Sequence, residues 1–191
     1  AYARFSPVLD ARADIKLDVD RDTQEALLQQ LAAAFPDDGF VAEEDTPTLT
    51  RANQERRGAE RVWVIDPIDG TRGFAMKNGE FSVMVGLIDR GELAVGVVLE
   101  PERQRLTYAT RGGGCHHARG GASPAPCRVT TTATLAGATY TKSRSGGSGR
   151  RSRTDEALAG LGSVCVYSAG IKLALVACGD ADFYVNSYPN F

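Results

Sequence analysis

No stretch of this chain limits its fold more than Val62 to Phe74. Val62 to Ile65 are four consecutive apolar residues, enough for a buried strand, and the run ends at two carboxylates, Asp66 and Asp69, with Pro67 between them. An apolar strand that ends in acids fits an α/β sheet, which binds ligands at its strand ends. Pro67 fixes its own φ and biases Asp66 toward an extended conformation, so a stiff turn is expected to hold the two acids. Gly70 lets backbone N–H groups come close to an anion, and Thr71 adds a hydroxyl. Two hard oxygen anions beside exposed amides suit Mg2+ and phosphate together. The competing reading is a plain turn, because Asp-Pro and Asp-Gly are both ordinary turn formers.

With 191 residues and 42% of them hydrophobic, the chain can bury a real core as one large domain or two small ones. A net charge of −2 gives no general attraction to a nucleic acid polymer or an anionic membrane, so any nucleotide bound is expected to be small. No apolar run reaches the ~20 residues needed to cross a bilayer, and Ala1 to Phe5 lack an export pattern, so a cytoplasmic location is the expectation. Cys115, Cys127, Cys165 and Cys178 show no C-x-x-C spacing and read as reduced thiols. Cys115-His116-His117 with Cys127 nearby could be a metal site, but reads first as a surface loop.

Asp22 followed by Glu25 resembles a capping box, and Leu27, Leu28, Leu31, Ala32 and Phe35 recur at helical spacing up to Pro36. Asp37-Asp38-Gly39 turns the chain into a short strand, Phe40 to Ala42, which also ends in acids, Glu43 and Glu44. Residues 46–61 are polar and read as a mobile excursion. Phe81–Ile88 and Glu92–Leu99 flank Asp89-Arg90-Gly91 as an antiparallel hairpin, and Leu106–Ala109 extends it. Gly112 to Pro126 reads as a link between two substructures. Strands are expected at Thr139–Thr141, Val164–Val166 and Phe183–Val185, with a buried helix from Ile171 to Ala177 stopped by Gly179. Ser143 to Arg153, rich in Ser, Gly and Arg, reads as a loose loop able to clamp phosphate.

Glu43-Glu44, Asp66-Pro67-Ile68-Asp69-Gly70-Thr71 and Asp20, 23 positions ahead of Glu43, together resemble the inositol monophosphatase superfamily. Asn78 to Val83, Gly96 to Pro101, Lys142 to Ser145 and Ala169 to Lys172 are similar to its 3'(2'),5'-bisphosphate nucleotidase branch. Gly146, Ala169, and Val185 or Asn186 stand where that branch often has His, Ser and Arg. The family's Trp-Asp motif would follow just after Phe191, and a first helix would precede Ala1, so the chain reads as truncated. The resemblance implies an α-β-α-β-α layered sandwich of the inositol monophosphatase/fructose bisphosphatase type. Residues 1–118 would form an N-terminal metal-binding domain and 126–191 an incomplete C-terminal substrate domain.

By the same resemblance, Glu43, Asp66, the Ile68 carbonyl and Asp69 would hold two or three Mg2+ ions, with Asp20, Thr71 and Glu43 catalytic. Gly70, Thr71, Ser143, Arg144 and Lys172 would bind substrate. The implied activity is metal-assisted hydrolysis of 3'-phosphoadenosine 5'-phosphate to AMP and phosphate, with inositol monophosphate as the alternative substrate; homodimers are common in the family. Plain readings stand beside these: Asp20 as a helix cap, Glu43 as a surface acid, Lys172 as a solvated helix residue. A haloacid-dehalogenase-type phosphatase would need its two aspartates two apart, and here they are three apart, although Asp180 and Asp182 could imitate its late acidic motif. A non-catalytic metal and phosphate binder is the third possibility.

Overall fold

Strands that neighbour each other in sequence pair into one large mixed sheet, in a computed structural model that describes residues 8–9, 15–16, 18–56, 58–144 and 153–186. Val8–Leu9 (β1) and Ile15–Lys16 (β2) form a small antiparallel pair ahead of helix α1, Asp18–Ala34. Then come Gly39–Ala42 (β3), helix α2 at Pro47–Glu55, Arg61–Asp69 (β4) and the short helix α3 at Thr71–Ala75. Ser82–Asp89 (β5), Glu92–Glu100 (β6), Arg105–Thr110 (β7), Gly114–Arg119 (β8) and Ala125–Cys127 (β9) continue as a meander. The seven strands β3 to β9 lie in sequence order; only β3 and β4 are parallel. A second sheet holds Thr139–Ser143 (β10), Gly162–Val166 (β11) and Phe183–Val185 (β12), all parallel, in the order β11-β10-β12. Helices Arg153–Ala157 (α4) and Ala169–Ala177 (α5) accompany it.

The period of two along each strand fixes the layers. Trp63 and Ile65 of β4 and Leu87 of β5 pack with Leu28 of α1 and with Leu49 and Ala52 of α2, so those helices cover one face of the large sheet. Each of the buried Leu and Ile side chains contributes about 1.5–3 kcal/mol. On the other face, Ser82 and Met84 of β5 meet Gly170 at the start of α5. Helix α5 also packs on β10, and Ser143 of that strand accepts a bond from Lys172 of α5. Tyr140 and Lys142 alternate with Ser143 and bond Asp155 of α4, which places α4 on the far face. The order is α1/α2, large sheet, α5, small sheet, α4, the expected α-β-α-β-α sandwich.

Four sequence expectations need correction. Helix α1 begins at Asp18, four residues before the apparent capping box, so Asp20 lies inside its first turn and does not cap it. Glu25 instead accepts from Thr48 and Gln29. The stretch 46–61 is no loose excursion: Thr46 caps α2, Pro47 occupies its first turn, and Leu49 and Ala52 are buried. With so few apolar residues, this helix shows little periodicity in sequence. Gly112 to Pro126 contributes β8 and most of β9, because backbone pairing of β8 to β7 and of β9 to β8 compensates for its poor side chains. Strand β4 does not stop at Ile65 but runs to Asp69, with a register break between Asp66 and Asp69 that accommodates Pro67. Most of the basic loop, residues 145–152, lies outside the described residues, as does the C-terminal stretch 187–191.

Candidate metal and phosphate site

The parallel pairing of β3 with β4 sets Ala42 opposite Ile65, so Glu43 and Asp66 follow side by side at the same sheet end. Asp66 pays for this crowding electrostatically. Burial first, then the negative charges of Asp69 and Glu43, push its carboxyl up from the usual 3.8 to about 7, against a lowering bond from the Ile68 N–H. Its Oδ1 is buried without a hydrogen-bond partner. Three acids of like charge and an orphaned carboxylate oxygen are the surroundings that a divalent cation relieves.

Asp69 is held differently. Its carboxylate accepts from the Ser82 hydroxyl at 3.1 Å, from the Ser168 hydroxyl, and from the backbone N–H groups of Ala169 at 3.1 Å and Gly170 at 2.7 Å. Ser168 is the N-cap of α5 and also accepts from Ile171 N–H at 2.9 Å. The positive end of α5 thus clasps the second acid. Among the described residues no three His, Cys, Asp or Glu side chains stand ready as a metal ligand set. The expected ligands Glu43, Asp66 and Asp69 share one neighbourhood, but Asp69 would have to exchange some of its donors for a cation.

Gly70 sits at φ 85°, in the left-handed region, and begins α3. A Cβ there would lie 2.7 Å from the Glu80 carbonyl and 3.0 Å from the Ser168 Cα. Thr71 donates its hydroxyl to the Ile68 carbonyl at 3.3 Å. Asp20 is buried in the first turn of α1, and its neighbour Val19 packs on the cluster of Ile68, Phe74 and Phe81 beneath the acidic turn. Glu43 is exposed.

Lys172 is not a solvated helix residue. It is 1% exposed, its Nζ donates to Ser143 Oγ at 3.0 Å and to the carbonyls of Val166 and Tyr167 at 3.2 and 3.1 Å, and burial holds its pKa below the ordinary lysine value. Arg144 forms a two-pronged pair with Glu80 and donates to the Cys165 carbonyl at 2.7 Å. Glu80 also receives the Tyr167 N–H at 3.2 Å. These cations stand beside the start of α5, with donors engaged by the protein itself.

Sequence reading missed Ser82, Ser168, Glu80 and Gln24. Ser168 had a signal, since Ser directly before an apolar run is an N-cap pattern. Gln24 had none: fully buried, it donates to the Glu44 carbonyl at 2.5 Å and accepts from the Glu44 N–H at 2.8 Å, which fixes the strand end that carries Glu43. Replacing Gln24 by Leu is expected to cost about 1–3 kcal/mol, because the Glu44 backbone groups lose their buried partners. Urea denaturation measures it; a midpoint unchanged from wild type would contradict the role.

Asp180 and Asp182 are accounted for structurally. Asp180 pairs with the buried Arg105 at 2.9 Å, and Asp182 accepts from the Thr130 hydroxyl and the Thr139 N–H, both at 2.6 Å. Both act in packing, which removes the imitation of a dehalogenase motif. Residues 8–190 match the inositol monophosphatase family. The chain belongs to this family. It is 38% identical over 86 residues to the 3'(2'),5'-bisphosphate nucleotidase CysQ of Salmonella typhimurium, covering 45% of this chain and 33% of that protein. It is 31% identical over 184 residues to the Nus factor SuhB of Xylella fastidiosa, covering 91% of this chain and 61% of that one. The crystal structure of the suppressor protein SuhB from Bartonella henselae superposes with a TM-score of 0.78 at 25% identity, over 97% of this chain and 70% of the other. The matches therefore span between 33% and 70% of the length of these relatives. No helix among the described residues is long and apolar enough to cross a membrane.

Proposed function

We propose that this family member is a Mg2+-dependent phosphomonoesterase that uses water as its nucleophile, with 3'-phosphoadenosine 5'-phosphate as substrate and AMP and phosphate as products. The carrying observation is Asp66, a carboxylate with a buried unpartnered oxygen, crowded by Glu43 and Asp69 at the end of β4. Glu43, Asp66, the Ile68 carbonyl and Asp69 would hold the ions. When bound, Mg2+ supplies Lewis acidity and charge neutralisation at the phosphoryl group. The protein's own part is positioning and proton handling. Thr71 and Asp20 orient the attacking water and accept its proton, and the Gly70 and Thr71 amides receive phosphate oxygens. Ser143, Arg144 and Lys172 border the substrate, and Arg144 reaches it by exchanging Glu80 for an anion.

The nucleotide is favoured by the similarity to CysQ and by the Ser143-Arg144 and Gly170-Ile171-Lys172 segments; inositol monophosphate is the second substrate reading. Phosphate release from 3'-phosphoadenosine 5'-phosphate, inositol 1-phosphate and fructose 1,6-bisphosphate, with and without Mg2+, tests both. Hydrolysis of the inositol ester alone would replace the nucleotide reading. No turnover with retained Mg2+ binding would mark a non-catalytic binder.

The acidic cluster also sets a pH dependence. In the metal-free protein, Asp66 ionises near 7 when folded and near 3.8 when unfolded, so its contribution is intact below about 3.8 and is lost as pH rises through about 7. Saturating Mg2+ should therefore raise the melting temperature more at pH 8 than at pH 5.5. Equal shifts at both values would show that Asp66 does not face the ion.

A further inference from the structure

Three of the four cysteines meet where the edge of the large sheet lies against the end of α5. Cys115 of β8 and Cys127 of β9 are opposed in register, with sulfurs 3.1 Å apart. Cys178, which ends α5, brings its sulfur to 3.3 Å from that of Cys127. Opposed residues of an antiparallel pair have Cα atoms about 4.5–5.5 Å apart, inside the ~4.4–6.8 Å span of a disulfide. The backbones at the second contact are also adjacent: a Cβ on Gly179 would lie 2.8 Å from the Arg128 carbonyl. All three cysteines are free and half-buried, so a small oxidant reaches them. Among the described residues no group of three His, Cys, Asp or Glu is arranged to hold a metal ion, and sulfurs in contact with each other leave no room for zinc between them.

We propose that Cys115, Cys127 and Cys178 form a hydroperoxide-responsive thiol site in which Cys127 is the shared partner, bonding either Cys115 or Cys178 and leaving the third thiol free. Burial, then bonds from the two neighbouring thiols, push the Cys127 thiol up, so it keeps its proton and the first attack falls to an outer cysteine. That thiolate attacks a peroxide oxygen, the O–O bond breaks, and the leaving hydroxide takes a proton to become water, which makes a sulfenic acid. Cys127 then attacks the sulfenic sulfur, the S–O bond breaks, and the departing oxygen leaves as water with the Cys127 proton. Two thiols are oxidised by two electrons and one hydrogen peroxide is reduced to two waters.

The two bonds differ in reach. Cys115 and Cys127 are 12 residues apart on one sheet edge, whereas Cys127 and Cys178 are 51 apart. The longer bond ties β9 to the helix whose opposite end clasps Asp69.

The test is to treat the chain with hydrogen peroxide, alkylate the remaining thiols and map peptides by mass spectrometry without reduction. The expected result is two thiols lost of four, every intramolecular disulfide containing Cys127, and Cys165 alkylated. Cys115→Ser should still form the bond to Cys178, Cys178→Ser the bond to Cys115, and Cys127→Ser neither. Four thiols still alkylated in the wild-type chain, a Cys115–Cys178 bond, or a bond to Cys165 would overturn the proposal, and the wild-type map decides even if a variant fails to fold.

Discussion

Asp66→Asn is expected to lower Mg2+-dependent phosphate release by about 10^3-fold or more, roughly 4 kcal/mol of transition-state stabilisation. The same substitution should leave the metal-free protein at pH 8 as stable as wild type or more so. The two effects share a cause. Asp66 carries an unpartnered buried oxygen beside Asp69 and Glu43, and its raised pKa records what ionisation costs in that position. A neutral amide of equal size removes the repulsion that opposes folding, and removes with it the charge that would attract a cation. A carboxylate kept for packing would behave otherwise, losing stability and sparing activity. Phosphate release and thermal melting with and without Mg2+ distinguish the two; a variant with wild-type turnover would end the proposed role of Asp66.

The second large effect is expected at Gly70. Gly70→Ala forces a side chain into the left-handed region and into two stretches of backbone, at Glu80 and Ser168. The conformational cost is about 1–2 kcal/mol and the overpacking about 1–3 kcal/mol, so a loss of about 2–5 kcal/mol is expected. Any relief must move β4 away from α5, and Asp69 and Thr71 flank the displaced residue. Misplacement by ~1 Å costs about 10^2-fold in rate, and that much is expected here even where the variant still folds. Activity at a temperature well below the variant's melting point separates the two losses. A variant that melts and turns over like wild type would show that the close approach of Gly70 to Ser168 is not needed.

The sequence carried the acidic turn well because its signals are local. Val62 to Asp69 contains an apolar run, a proline and two acids within one strand length, and Arg90-Gly91 between two β-rich runs specifies a hairpin without help from elsewhere. Helix α2 was not legible because its stability comes from burying Leu49 and Ala52 against other elements, and two apolar residues make no periodic pattern. Strands β8 and β9 were not legible for a related reason: glycines, histidines and a proline have little strand preference, and the ladders from β7 to β8 and from β8 to β9 supply what they lack.

Motif residues and their spacing by themselves carried the resemblance that gave the family and, through it, the class of fold, since an acidic pair, an acidic turn and the distance between them can be read along the chain. Tertiary structure alone decided what those residues meet. Asp69 lies 99 to 101 positions from the α5 groups that clasp it, Arg144 lies 64 from Glu80, and Gln24 lies 20 from the backbone it locks. Such partners are chosen by how layers pack around buried polar groups that must find a bond away from water, a requirement that leaves no trace in the local spacing of residues.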